Sequence, residues 1–188
     1  PSWAEAERCC GQAYQAASVV ERYRRAARQA QSPSHGLQPI GPYAMRQLAA
    51  LQHAWIALGR PAPLRVLDFG GALGSHFHSL QPHWPWAALH WTVCETEAVA
   101  AAGAADFTSE RPDGSQLCFT ANPAEALAAG IDVVLASCSL QYLEHWPQLL
   151  HQFKAAPWLL LDRVPLIDHP SDLIAIQVVP ASYTDTRY

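Results

Sequence analysis

The sequence predicts a doubly wound, mostly parallel α/β fold, and three observations carry that expectation. From residue 64 onward, short apolar runs alternate with helix-compatible stretches, the rhythm of parallel strands joined by crossover helices. The runs are nearly unbroken in apolar character, as in Val133-Val134-Leu135, which suits strands covered on both faces. The first run ends in Gly70, Gly71 and Gly74, a strand-to-helix turn that lets backbone approach a ligand closely.

Taken in order, residues 3–31 are rich in Ala, Arg, Gln and Glu, which favour helix, until Ser32-Pro33-Ser34-His35-Gly36 breaks the pattern. A second helix is expected over 43–58, stopped by Gly59-Arg60-Pro61. These helices read as an N-terminal cap, residues 1–60, forming a single compact unit with a sheet domain of 61–188. Strands are expected at 64–69, 88–94, 116–119, 131–136 and 158–161, the third led in by the turn Pro112-Asp113-Gly114. Helices are expected at 75–80, 96–102, 123–129 and 145–153, making right-handed crossovers. A sixth strand is expected over 173–179, with none after it, so the sheet reads as incomplete at that end.

Composition removes several function classes. A chain of 188 residues fits one domain with a sizeable core. Half of it is hydrophobic and 15% charged, unlike disordered chains. A net charge of -4 lacks the basic footprint of a nucleic-acid binder. Arg22, Arg24, Arg25 and Arg28 read as a solvated helix face, with a docking surface for an anionic partner as the alternative. Five cysteines, scattered and without a C-x-x-C pair, indicate a reduced cytoplasmic protein. No apolar run approaches the roughly 20 residues of a membrane span, and no signal peptide is visible at the start. His76 and His78 point to different faces of a helix, and no Cys or carboxylate completes a ligand spacing with them, His83 or His90, so no metal is expected. Seven tryptophans read as packing, with Trp84-Pro85-Trp86 stacking on a sugar as the alternative.

In an open parallel sheet, ligands bind beyond the carboxyl ends of the strands, and three such ends carry suitable groups. At the first, a dinucleotide motif read back from Gly74 would need glycine where Phe69 stands. Asp68 just before the glycines would repel a diphosphate but not a cationic sulfonium or amino group. The plainer alternative is a tight turn with no ligand. Glu95 ends the second strand about 20 residues past the glycines, where an acid accepts hydrogen bonds from both ribose hydroxyls. NAD enzymes use the same device, so Glu95 points to an adenosine ribose without choosing the cofactor. Its alternative role is a helix N-terminal acid favoured by the dipole. The third end, Ala136-Ser137-Cys138-Ser139, offers small residues to line a pocket.

Together these stretches resemble a class I S-adenosylmethionine-dependent methyltransferase over residues 64–161. The shared features are the D-x-G-G-x-x-G turn, the acid ending the second strand, and a fourth strand running into Ser139-Leu140-Gln141-Tyr142-Leu143. More narrowly, the chain resembles a bacterial methyltransferase family associated with surface-polysaccharide genes. The matching stretches are Ser2-Trp3-Ala4-Glu5-Ala6, residues 67–76, residues 135–143, Leu161-Asp162-Arg163-Val164-Pro165 and Gln177-Val178-Val179-Pro180. The resemblance implies a Rossmann-like fold binding S-adenosylmethionine. Asp68, Gly70 and Gly74 would shape the methionine side, with Phe69 and Gly71 in the same turn. Glu95, with Thr96, would hold the ribose, Asn122 would lie near the adenine, and Ser137 and Ser139 would border the methionine. Two departures stand out: Ala72 where many class I enzymes have glycine, and the missing last strand of a seven-stranded sheet.

Methyl transfer needs positioning, a dry pocket and, for a hydroxyl acceptor, a base. Tyr142, Glu144 and His145 follow the fourth strand; His145 is preferred with Tyr142 beside it, and His76 and His78 are rivals. The turn at Asp162-Arg163 either orients an acceptor or forms a structural ion pair. No Asn-Pro-Pro-Tyr stretch of the enzymes that methylate nucleic-acid amino groups is present. The expected function is methyl transfer from S-adenosylmethionine to a small molecule or saccharide, by O-methylation. The expected partner is that acceptor, with no nucleic acid or membrane span, and a homo-oligomer is compatible. The alternatives are a non-catalytic methyltransferase-like binding module and an NAD-linked oxidoreductase or epimerase.

Overall fold

Five buried residues in a row, Val133 to Ser137, set the centre of the molecule, because only a strand covered on both faces accommodates that pattern. In this computed structural model residues 2–10, 15–31, 39–171 and 173–177 are described. Helices α1 (Trp3–Cys10), α2 (Ala17–Gln31) and α3 (Pro42–Ala57) precede the alternating part. There follow β1 (Leu64–Phe69), α4 (Ser75–Leu80), β2 (Leu89–Cys94), α5 (Glu97–Asp106), β3 (Ser109–Glu110) and β4 (Gln116–Thr120). The rest is α6 (Pro123–Ala128), β5 (Val133–Ser137), α7 (Trp146–Phe153) and β6 (Trp158–Asp162).

The sheet order is β3-β4-β2-β1-β5-β6, with every pair parallel except β3–β4. The fold is therefore the doubly wound, mostly parallel α/β sheet expected of the sequence. Winding reverses at β1, between β2 and β5, which opens the crevice where such sheets take ligands. The registers Phe69↔Cys94, Phe69↔Ala136 and Ser137↔Asp162 level the carboxyl ends of β1, β2, β5 and β6. Whatever follows those strands in sequence shares one edge of the molecule.

Both faces are covered. On one, Leu51, Ala54 and Trp55 of α3 and Phe77 and Leu80 of α4 pack on Val66, Val93 and Leu135. On the other, Ala126 and Phe153 pack on Leu67, Val134 and Ala136. Val20 and Ala27 of α2 join Val99 and Ala102 of α5 beside Leu73. The N-terminal helices thus supply core, and each fully buried Leu such as Leu51 stabilises the fold by about 1.5–3 kcal/mol.

Three features differ from the sequence reading. The stretch 3–31 forms two helices rather than one. A two-residue antiparallel edge strand, β3, pairs Glu110 with Gln116 across the turn at Gly114 (φ 81°); Ser-Glu is too short to show a strand period. Residues 173–177 form no strand, and Leu173 is 73% exposed; 178–179 and the break at 32–36 lie outside the described residues. No helix among the described residues is long and apolar enough to cross a membrane.

Candidate active site at the carboxyl edge of the sheet

The turn after β1 is built on left-handed backbone at Gly70 (φ 76°), Ala72 (φ 52°) and Gly74 (φ 82°). The Gly70 N–H donates to the Cys94 carbonyl at 2.9 Å, fastening the turn to β2. A Cβ on Gly70 would stand 2.5 Å from the Ser139 Cβ, and one on Gly71 would run into the Asp68 carboxylate. Close packing against the loop after β5 therefore demands glycine here. Ala72 keeps its Cβ despite its left-handed backbone, so the departure from the methyltransferase pattern is accommodated at a backbone cost of about 1–2 kcal/mol.

Asp68 is fully buried and turns inward, beneath the turn. Its carboxylate accepts from the Trp91 indole N–H at 3.0 Å, and both oxygens lie 3.0 Å from His76 Nδ1. An ionised carboxylate only accepts, so Nδ1 carries the proton and Nε2 is the nitrogen left to act. Burial alone would lower the His76 pKa, but the charge and hydrogen bond of Asp68 outweigh it and the pKa is raised. Arg163 and Asp162, at the end of β6, also act on this imidazole, in opposite directions.

Glu95 bridges two strand ends. Its Oε1 accepts from the Ala72 N–H at 3.1 Å and its Oε2 from the Thr96 N–H at 3.0 Å. Burial pushes its pKa up against those two bonds, and the charge of Asp68 adds to the rise. Burial, with Glu95 beside it, pushes the Cys94 thiol up to about 12, so that thiol is inert. The hydroxyl oxygens of Thr96 and Ser139 are shut away from solvent with no hydrogen-bond partner.

Ser137 anchors a second polar cluster. Its Oγ donates to Asp162 Oδ2 at 3.0 Å and accepts from Gln47 Nε2 at 3.2 Å and from Arg163 Nη2 at 2.9 Å and Nε at 3.2 Å. Gln47 also donates to Asp162 at 2.9 Å, so α3 is tied to the ends of β5 and β6. Cys138 (φ 55°) and Arg163 (φ 54°) are left-handed non-glycines just past those strands, a kind of strain that gathers at functional sites.

The expected residues divide accordingly. Asp68, Gly70, Gly71, Gly74, Glu95, Thr96, Ser137 and Ser139 converge on one edge. Phe69 sits there by its backbone only, because its ring packs edge-on against Phe153 at 5.4 Å. Asn122 caps α6, its Oδ1 accepting from the Ala124 and Glu125 N–H groups, and is exposed. Tyr142 lies in a single turn, Leu140–Tyr142, following β5. His145 has a side chain 77% exposed and stands 3.8 Å from Glu144. His78 is buried against α2, which with nearby Arg111 lowers its pKa to about 4. The sequence reading missed Gln47, Trp91 and the Asp68–His76 pairing. Two cavities, of about 190 Å³ beside Arg65 and Cys118 and about 430 Å³ between α2 and α5, include none of the converging groups.

The chain matches no protein-family model, and no curated protein matches it. Among solved structures it is similar to magnesium protoporphyrin IX methyltransferase from Synechocystis PCC 6803 with bound SAM. That match has 18% identity over 78% of this chain and 71% of that one, with a TM-score of 0.47. It is similar also to the N-terminal domain of EvdMO1 with SAH bound, at 14% identity over 82% of this chain and 72% of that one, TM-score 0.44. A third is the plantazolicin methyltransferase BpumL in complex with SAH, at 13% identity over 83% of this chain and 57% of that one, TM-score 0.41. Likeness at this level decides nothing about chemistry, and the case for function rests on this chain's own residues.

Proposed function

We propose that the chain is an S-adenosylmethionine-dependent methyltransferase acting on a small-molecule acceptor. The observation that carries this reading is the convergence of Glu95, the left-handed turn and the orphan hydroxyls of Thr96 and Ser139 at the reversal of strand order. Each orphan hydroxyl costs about 1–3 kcal/mol until it finds a partner, which a polar ligand on this edge supplies. Each Glu95 oxygen accepts one bond here and keeps a second lone pair for a ribose hydroxyl. Phe69 stands where a dinucleotide motif read back from Gly74 needs its first glycine, which disfavours NAD.

S-adenosylmethionine, when bound, supplies a methyl group already activated by its sulfonium. The chain's tasks are then positioning and proton removal. Asp68 holds His76 by Nδ1–H, so Nε2 is set to take the proton of an acceptor hydroxyl, with Asp68 as the positioning residue. His76 is favoured over His145, whose exposed imidazole has Glu144 at 3.8 Å, beyond hydrogen-bond reach, and Tyr142 is the second candidate. O-methylation of a saccharide is the finer reading and rests on the sequence resemblance. A cytoplasmic location is favoured by free Cys9, Cys10, Cys94, Cys118 and Cys138.

Calorimetric titration with S-adenosylhomocysteine, using NAD as control, tests the reading. Saturable binding of the first alone, weakened about tenfold or more by Glu95→Ala, is expected. Binding of NAD alone would overturn it in favour of the oxidoreductase reading. A folded protein that ignores both would favour a non-catalytic binding module.

A further inference from the structure

Next to the cofactor edge stands a cationic group that the cofactor reading does not use. The Arg46 guanidinium lies 4.8 Å from the centroid of the Tyr43 ring, and that of Arg163 lies 5.5 Å from the same centroid. Tyr43 is 57% exposed, so the platform faces solvent. Among the described residues Arg46 forms no ion pair. Arg163 is fixed along one side, with Nε and Nη2 on Ser137 Oγ and Nε 3.5 Å from Asp162. Its Nη1 has no hydrogen bond there, and its side chain is 42% exposed. Two like charges drawn to one ring in a chain of net charge -4 raise each other's energy, and an anion between them relieves that repulsion. A guanidinium immobilised with one edge uncommitted needs little further ordering to grip an oxyanion.

Position favours the acceptor as the molecule that carries that anion. From β2, where Glu95 would hold the ribose, the order runs through β1 and β5 to β6, roughly 14 Å at about 4.8 Å per strand. A single methylene joins the ribose ring to the sulfonium, so a methyl group would lie over β1 and β5. The Tyr43–Arg46–Arg163 group lies past it, on the acceptor's side. We propose that this group is an acceptor subsite for an oxyanion, a phosphate or a carboxylate borne by the molecule to be methylated. This inference rests on the methyltransferase reading for the acceptor's role but not for the anion site itself.

The test is calorimetry at low ionic strength on the protein saturated with S-adenosylhomocysteine. UDP serves as the phosphate arm, glucuronate as the carboxylate arm and uridine as the neutral control. UDP or glucuronate is expected to bind saturably and uridine not to bind, the responding arm identifying the oxyanion. Arg46→Gln and Arg163→Gln should each weaken that binding about tenfold or more, and in Arg46→Gln the S-adenosylhomocysteine affinity should stay within about twofold of wild type. Because Arg163 also braces Ser137, the exposed Arg46 variant and its melting curve guard against a folding artefact. Absence of anion binding to the wild type, or equal binding to the variants, overturns the proposal. So does loss of S-adenosylhomocysteine affinity in Arg163→Gln with 5′-methylthioadenosine unaffected, since the cation would then serve the cofactor's carboxylate. If S-adenosylhomocysteine fails to bind at all, the methyltransferase reading falls, and the same anion titration on the free protein decides the anion site by itself.

Discussion

Replacing Asp68 with Asn tests the buried pair on which the reading of the site turns. The wild-type carboxylate accepts from the Trp91 indole and from His76 Nδ1, both at 3.0 Å, with no exposure to solvent. A carboxamide can match those partners only if the imidazole changes. Its oxygen keeps the Trp91 bond, while its NH2 faces Nδ1 and requires His76 to be neutral with its proton on Nε2. Two charge-assisted bonds, about 1.5–3 kcal/mol each, become two neutral ones of about 0.5–1.5, a loss of about 2 kcal/mol at pH 8. Acidification should widen the loss. In the wild type the His76 pKa is raised above 6.5 by Asp68, so its stabilisation is complete below pH 6.5 and fades as pH rises through the folded value. Without Asp68 burial dominates and depresses that pKa, so the variant loses stability as pH falls below 6.5. At pH 5.5 the deficit should approach the about 3–5 kcal/mol of a broken buried pair. Urea denaturation at both pH values measures it, and nitrogen-15 NMR of the imidazole reads the tautomer. A deficit independent of pH, or an unprotonated Nδ1 in the wild type at pH 8, refutes the reasoning.

Gly70→Ala should destabilise by about 1–2 kcal/mol from the left-handed backbone alone. It should also displace Ser139, which a Cβ would meet at 2.5 Å, so S-adenosylhomocysteine affinity should fall further than in a surface Gly→Ala control. Asp132→Ala orphans the Arg65 backbone N–H, held at 2.8 Å, and should cost about 2 kcal/mol in urea midpoint analysis. Little of that comes from the ion pair, since the Arg65 side chain is 46% exposed. The His78 pKa, lowered to about 4 by burial and then by Arg111, makes the wild type lose stability as pH falls from 6.5 toward 4. His78→Gln should flatten that part of the stability–pH curve.

The alternation of strands and helices was legible because β1, β2, β4 and β5 are apolar runs bounded by turn signals, and parallel strands buried on both faces have no polar alternation to blur them. That Gly70, Gly74 and Glu95 meet at one edge followed from the same pattern, since they mark where two parallel strands end. What Asp68 does there was not legible. An acid before glycines reads as ligand-facing, and only the tertiary position of Trp91, in register with Val66 on the neighbouring strand, shows that the carboxylate is consumed inside. Gln47 was equally hidden, because its partner Asp162 lies 115 residues away and nothing local distinguishes a helix glutamine that faces core. The capping of α6 by Asn122 was legible but overlooked, since an Asn before Pro123 is a ready helix cap.

Three of the four left-handed non-glycine residues among those described, Ala72, Cys138 and Arg163, stand just past β1, β5 and β6. Each costs about 1–2 kcal/mol, and a sheet that needed only to close could have taken glycine at all three. What the strain secures can be read from their neighbours. The Ala72 N–H is held on Glu95, Cys138 precedes the orphan Ser139 hydroxyl, and the backbone of Arg163 brings its guanidinium back over Ser137 and Tyr43. In each case a side chain is kept where glycine would leave freedom, and the ordering cost is met in folding rather than on binding. The same edge that reverses the strand order is therefore pre-set along its length, from the carboxylate that would hold a ribose to the guanidinium that would hold an acceptor's oxyanion.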